Sequence, residues 1–197
     1  MTDVTDGQLM ERLRSGDRDA FGCLVDRHKD ALVNALTRMT GSRDRAQDLA
    51  QETFLRLYRG ATGYLEQGRF QAYLYRIAVN LLRGEERRKR RWRVLTPALT
   101  AATNGHVHNG HHANGHRPVA PAEAALLRGE VQQRVSAALA QVPMRFRVPL
   151  VLHAIEGWPY EEIARALATR EGTVKSRISR GRRRLQEILT PEFGRPA

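Results

Sequence analysis

The sequence predicts an all-α protein, two small helical domains joined by a flexible linker. Apolar residues recur at three- and four-residue intervals through two long blocks, the spacing of an amphipathic helix. Alternating Val, Ile and aromatic runs bounded by glycine, the mark of strands, are missing. A low-complexity stretch separates the two blocks. The 197 residues allow one ordinary domain or two small ones, and 41% hydrophobic content is enough to build a core.

The first domain is predicted over 6–93. Leu9 and Leu13 start its apolar pattern, and Phe21, Leu24, Val25, Leu32, Val33 and Leu36 continue it. Gly41-Ser42 breaks the pattern, and Ser42 or Asp44 can cap a new helix by accepting from its free amides. That helix carries Leu49, Phe54, Leu57 and Tyr58. Gly60, Gly63 and Gly68 punctuate a loop. A last helix follows, with Phe70, Leu74, Ile77, Ala78 and Leu81 on one face and a run of arginines at its end.

The second domain is predicted over 122–190. Val131, Val135, Ala138, Leu139 and Val142 form one stripe. Pro143 opens a helix bearing Phe146, Leu150, Val151 and Ile155, which Gly157 stops. Pro149 falls inside that helix and is expected to kink or end it, because proline supplies no amide and crowds the preceding turn, at a cost of about 3 kcal/mol in a straight helix. Two short helices complete the domain, Tyr160 to Leu167 and about Thr173 to Ile188.

Between them, residues 94–121 form the predicted linker. Thr96 to Pro121 is rich in Ala, Asn, Gly, His, Thr and Pro and repeats Asn-Gly-His at 104–106, 109–111 and 114–116. Such a chain spans roughly 25–30 Å on average and roughly 90 Å when taut, so the two domains are expected to be able to sit far apart on one ligand. It holds five of the seven histidines: His106, His108, His111, His112 and His116. Clustered imidazoles can bind zinc, nickel or copper and charge between pH 5 and 7. The absence of a fixed His/Cys geometry favours repeat expansion in a tolerant segment, so neither a metal site nor a cofactor is expected.

Charge narrows the function. Lys plus Arg number 33, of which 30 are Arg, against 21 Asp plus Glu, giving a formal net charge of +12. That balance predicts an anionic partner, nucleic acid first and an anionic membrane second. A single cysteine excludes an intrachain disulfide framework and a cysteine-based zinc finger, and Cys23 is expected as a small buried hydrophobe. No run of about 18 apolar residues is present, so no membrane insertion is expected. The stretch Met1 to Glu11, with three acids before the first arginine, is unlike a secretory signal. A cytoplasmic protein is expected.

Two segments carry nucleic-acid chemistry. Trp158 to Leu167 reads as a short amphipathic helix, Ala168-Thr169-Arg170 as a three-residue break, and Glu171 to Arg180 as a second helix. Val174 and Ile178, four residues apart, are expected to pack on Ile163 and Leu167, which gives a helix-turn-helix. The polar face of the second helix offers Thr173, Lys175, Ser176, Arg177 and Arg180, hydroxyls and cations suited to phosphates and guanine edges. Arg182, Arg183 and Arg184 follow within reach of a backbone. In the first domain Arg76, Asn80, Arg83, Arg87 and Arg88 recur by helical steps, cations that track phosphates around one amide that can read a base edge. Tyr64, Phe70, Tyr73, Tyr75 and Trp92 lie nearby. Aromatic faces can stack unstacked bases, although most of these rings are expected in the core. Against this basic background Asp44, Asp48 and Glu52 place one acid per turn on one helix face. Acids so spaced repel each other unless the face meets a partner.

Taken together these motifs resemble bacterial RNA polymerase sigma factors of the extracytoplasmic-function (ECF) subfamily. Asp48-Leu49-Ala50-Gln51-Glu52-Thr53-Phe54 resembles the core-binding motif of sigma region 2. Tyr73-Leu74-Tyr75-Arg76-Ile77-Ala78-Val79-Asn80 and the arginine run resemble the part that recognises the −10 element. Tyr160-Glu161-Glu162-Ile163-Ala164 with Gly172-Thr173-Val174-Lys175-Ser176-Arg177 resembles region 4, which reads the −35 element. The resemblance implies that Asp48, Leu49, Gln51, Glu52 and Phe54 lie on or under the surface meeting core RNA polymerase. It implies that Asn80 and the loop from Ala61 to Arg69 hold a flipped −10 base, with Arg76, Arg83, Arg87 and Arg88 along the strand. Arg170, Glu171, Thr173, Lys175, Ser176, Arg177 and Arg180 would enter the −35 major groove. Promoter DNA, core polymerase and an anti-sigma factor are the implied partners, and the chemistry would belong to the polymerase, so no enzyme activity is expected. Three residues depart from the family pattern: Pro159 stands where a capping Ser is common, Tyr73 where Trp is common, and Pro149 falls inside a helix of region 4. A stand-alone helix-turn-helix regulator is the alternative, disfavoured by the acidic stripe and by the lack of an obvious dimerisation helix.

Overall fold

The computed structural model describes residues 4–65, 68–95 and 133–193, and the described residues are helical with no strand. Val94 and Leu95, predicted to open the linker, belong instead to the helix that precedes it, while the rest of the predicted linker with its histidines, and Val131, lie outside the described residues. In chain order the helices are α1 (Asp6–Arg14), α2 (Arg18–Thr40), α3 (Arg43–Arg59), α4 (Phe70–Leu95), α5 (133–141), α6 (Met144–Ala154), α7 (Tyr160–Ala166) and α8 (Glu171–Phe193). A 3₁₀ turn at Ala61–Gly63 stands between α3 and α4.

Each early helix starts where a side chain can satisfy its free amides. Thr5 and Gln8 form a capping box on α1 through bonds of 3.2 and 2.9 Å. Asp17 accepts from the amides of Asp19 and Ala20 at the start of α2. The Arg12 guanidinium, 2.7 Å away, is the main cause that holds the Asp17 carboxyl below its usual range. Ser42 rather than Asp44 caps α3, accepting from Arg45. At the end of α2, Gly41 takes φ +76°, a left-handed conformation that glycine adopts without a Cβ penalty.

Leu9, Met10, Leu24, Leu32, Leu36, Met39, Leu57, Leu74 and Leu82 fill the core of the α1–α4 lobe. Val148, Leu152, Ile163, Leu167, Val174 and Ile178 fill that of the α5–α8 lobe. Tyr64, Phe70 and Tyr75 are buried in the first core. Cys23 is exposed, contrary to expectation: the inward stripe of α2 runs through Ala20 and Leu24, and residue 23 falls outside it.

Pro149 does not end its helix. It is buried, and α6 continues five residues beyond it to Ala154, packed against α2, α7 and α8. Packing on three sides supplies what the missing amide withholds. The last helix is also longer than expected, running as one rod from Glu171 to Phe193 rather than as a short segment.

The two lobes are not apart. α4 packs against α7 and α2 against α6, so one continuous apolar cluster runs through both. The lobe surfaces are complementary enough to bury Trp158 and to bring its ring 4.9 Å from that of Tyr75.

Candidate nucleic-acid interface

The second lobe forms a helix-turn-helix. α7 ends at Ala166, and the Leu167 and Thr169 amides bond back to the carbonyls of Ile163 and Ala164 at 2.9 Å. Ala168 takes φ +46°, an uncommon left-handed conformation for a residue with a Cβ, which turns the chain sharply into α8. Pro159 occupies the N-cap of α7 with φ −69° and no side-chain cap, so its fixed backbone starts the helix. Val174 and Ile178 are buried in the lobe core with Ile163 and Leu167, which orients the rest of α8 outward. Gly181 completes the inward stripe: an added Cβ would lie 3.1 Å from the Phe146 carbonyl of α6.

The outward face holds the residues that the sequence selects. Arg170, Glu171, Lys175, Ser176 and Arg180 are exposed; Thr173 and Arg177 are half-buried. Lys175 pairs with Glu171 at 2.7 Å, one turn back, and its ammonium lies 5.5 Å from the centre of the Tyr160 ring. The bond to Glu171 is the first cause raising the Lys175 pKa. Ser176 donates to the Thr173 carbonyl at 3.0 Å. Arg182, Arg183 and Arg184 are exposed beyond them.

On the first lobe Arg76, Asn80, Arg87 and Arg88 are exposed along α4. The Arg76 guanidinium lies 5.2 Å from the centre of the Tyr73 ring. Arg83 is half-buried and donates to the Leu167 carbonyl of the other lobe at 2.8 Å. Burial first, then the nearby Arg177 and Arg87 charges, lower its pKa. A cavity of about 290 Å³ opens beside α4, lined by Tyr64, Arg69, Tyr73 and Arg76 and by Arg165 and Ala166 of α7. Trp92 is 63% exposed near the end of α4. Sequence spacing missed Arg165, because nothing periodic links it to a tyrosine some ninety residues earlier.

A third surface lies on α3. Asp48 and Gln51 are exposed, Glu52 is half-buried and bonds Arg56 at 2.8 Å, and Leu49 and Phe54 are buried beneath them. The stripe continues into Leu55 and Tyr58, which are 39% and 42% exposed, with Phe21 edge-on to Tyr58 at 5.1 Å. The sequence reading assigned Tyr58 to the apolar face of its helix, but the structure turns it partly to solvent. Leu55 was legible: it stands seven residues after Asp48, on the same face. The neighbouring Arg45 is drawn away to Glu85 and Glu86 of α4 at 2.8 and 3.2 Å.

Among the described residues no helix is long and apolar enough to cross a membrane, and no group of three or more His, Cys, Asp or Glu side chains is placed to hold a metal. A helix-turn-helix on one lobe and a cationic helix face on the other give the chain two basic surfaces of the kind that meets nucleic acid.

The family follows from comparison with known proteins. Residues 24–93 match sigma-70 region 2, and residues 132–185 match sigma-70 region 4. The chain is 32% identical to RNA polymerase sigma-H factor of Pseudomonas aeruginosa, over 97% of each chain. It is 31% identical to ECF RNA polymerase sigma factor SigW of Bacillus subtilis, over 91% of this chain and 94% of that one. The fold is similar to that of the sigma factor RpoE, solved in complex with the anti-sigma factor NepR from Bartonella quintana: TM-score 0.64, 23% identity, 89% of this chain and 98% of that one. The chain belongs to the ECF subfamily of the sigma-70 family.

Proposed function

We propose that this chain binds core RNA polymerase and directs it to promoters, reading the −35 element with α8 and the −10 element with α4. The observation that carries the reading is the construction of α8. Val174, Ile178 and Gly181 are buried while Lys175, Ser176 and Arg180 stand exposed, so one helix both closes the lobe and presents hydroxyls and cations to a groove. The family supports the rest. Asp48, Gln51 and Glu52, with Leu49 and Phe54 beneath, form the polymerase-facing surface of α3. Asn80 holds a −10 base displaced from the stack, and Arg76, Arg83, Arg87 and Arg88 follow the strand phosphates. The chain acts in the cytoplasm as a specificity subunit and leaves phosphoryl transfer to the polymerase. An anti-sigma factor restrains it, as NepR is bound by the RpoE of Bartonella quintana.

The test is reconstitution with bacterial core polymerase. Co-elution and discrete, promoter-dependent run-off transcripts are expected. Lys175→Ala and Arg177→Ala should weaken −35-dependent initiation, each by about 1–3 kcal/mol if it grips a base and less if it meets only phosphate. Asn80→Ala should relax −10 preference across a promoter series. Tight duplex binding without any affinity for core polymerase would instead identify a stand-alone helix-turn-helix regulator.

A further inference from the structure

Helix α4 contains a glycine that its own fold does not require. Gly84 stands in the middle of this 26-residue helix. Glycine is the weakest helix former after proline, because it loses the most backbone freedom and packs nothing. A glycine inside a helix is explained when a neighbour leaves no room for a methyl group, as at Gly181. Gly84 has no such neighbour: among the described residues an added Cβ would meet nothing within 4 Å. Nor does the glycine end the helix or open a turn, since α4 runs unbroken from Phe70 to Leu95. The bond from Arg83 to Leu167 of the other lobe stops short of this open space.

The cationic stripe surrounds it. Residues three and four apart share a helix face, so Gly84 lies one turn after Asn80 and one turn before Arg87 and Arg88. Those three are exposed, and Gly84 is half-buried between them. The result is a shallow groove with bare helix backbone as its floor and one amide and two guanidinium groups as its walls. The acids beside it in sequence are neutralised elsewhere. Glu85 and Glu86 are both held by Arg45 of α3, at 2.8 and 3.2 Å. The groove is therefore cationic as well as open, and a glycine floor is what allows a second backbone to approach closely.

We propose that Gly84 is a seat for DNA: the sugar–phosphate backbone of a strand lies directly on the α4 backbone there, and the missing side chain lets Asn80, Arg87 and Arg88 reach it together. The proposal rests on the reading of α4 as a strand-binding face. It adds to that face a residue with no polar group, which sets how near the strand lies. Guanidinium–phosphate bonds form at about 2.7–2.9 Å, so a group that lifts the strand off the floor loosens several of them at once.

The experiment uses the full chain and a mixed-sequence single-stranded DNA 12-mer, with affinity from fluorescence anisotropy at low salt and stability from urea denaturation. Gly84→Ala and Gly84→Leu place a small and a larger group on the seat, and both favour helix over glycine. Gly22→Ala is the control, since Gly22 lies inside α2 with the same open space and outside the cationic stripe. Gly84→Ala should raise the urea midpoint as Gly22→Ala does, yet bind the 12-mer about threefold more weakly than Gly22→Ala. Gly84→Leu should bind about tenfold more weakly, as expected when several phosphate contacts are lost together. Stability gained while affinity falls is a pairing that a merely structural glycine does not give. A lower midpoint for Gly84→Ala would make the glycine a requirement of the shape of α4 and overturn the proposal. Affinities of both Gly84 variants equal to that of Gly22→Ala would overturn it as well. Arg87→Ala separates the seat from the wider reading. If Arg87→Ala weakens binding and the Gly84 variants do not, the seat falls and the strand-binding face stands. If none of them weakens binding, the strand-binding face fails and the seat with it.

Discussion

Replacing Gly181 by alanine tests how closely the reading helix sits on its support. Gly181 lies inside α8 and faces α6. A Cβ there would meet the Phe146 carbonyl at 3.1 Å and the Leu150 Cβ and Cδ2 at 3.4 Å. Leu150 has rotamers to use, but the carbonyl belongs to helical backbone and cannot turn aside. Alanine in a helix interior gains about 1 kcal/mol over glycine, whereas forcing a methyl into a packed contact costs typically about 1–3 kcal/mol. The net expectation is a loss of about 1 kcal/mol. Gly172→Ala is the internal comparison, since it sits in the first turn of the same helix with nothing within 4 Å of the new Cβ. There alanine should gain about 0.5 kcal/mol, the interior value reduced near a helix end. Urea denaturation of the full chain followed by helical circular dichroism reads both variants, and the two midpoints should move in opposite directions. A Gly181→Ala protein as stable as Gly172→Ala would refute the close approach of α8 to α6, and with it the orientation assigned to Lys175, Ser176 and Arg180.

Other perturbations separate the remaining parts of the structure. Ile163→Ala, at a fully buried site between α7 and α8, should cost about 2–5 kcal/mol and abolish duplex binding as the lobe loosens, checked by denaturation and gel shift. Ser42→Ala removes the acceptor at the start of α3 and should cost about 1 kcal/mol, read as a lower urea midpoint. Asp17 has its pKa held below 3.8, so the stability it gives is present above that value and is lost as pH falls through the lower folded value. Asp17→Asn should therefore flatten the acid limb of the melting-temperature profile. Glu156 behaves oppositely. Burial, its largest influence, raises its pKa above 4.5 against the pull of Arg38 and Tyr75, so the stability it contributes is present below the unfolded value and is lost as pH rises through the raised folded value. Glu156→Gln should remove this dependence, seen as a smaller fall in melting temperature across that range.

Much of this molecule was legible because its signals are local. Val174 and Ile178 stand four apart, Ile163 and Leu167 stand four apart, and three residues separate the helices, so the helix-turn-helix could be read before any coordinate. The acidic stripe at Asp44, Asp48 and Glu52 and the cationic steps from Arg76 to Arg88 follow helical spacing in the same way. Features set by tertiary contact were not legible. Pro149 carries a local signal to end a helix, yet α6 runs through it because three neighbouring helices pack on that segment. Cys23 reads as a small hydrophobe, but its exposure depends on which face of α2 meets the core.

The largest difference concerns the two lobes. The low-complexity segment leads to an expectation of lobes able to sit far apart, whereas their contact is written in residues that look unrelated in sequence. Tyr75 reads as an aromatic beside a DNA-binding stripe, and Trp158 as the entry to α7. Only the fold shows them as one ring pair, with Glu156 bonded to one lobe's tyrosine and set against the same lobe's arginine. The cationic stripe of α4 is also a costly surface to bury, because Arg83, already one turn from Arg87, meets Arg177 of the other lobe where the lobes touch. Repulsion of this kind is relieved by a polyanion as well as by separation. A polyanion drawn to this stripe would therefore meet Arg83 only by displacing its bond to the Leu167 carbonyl of the other lobe.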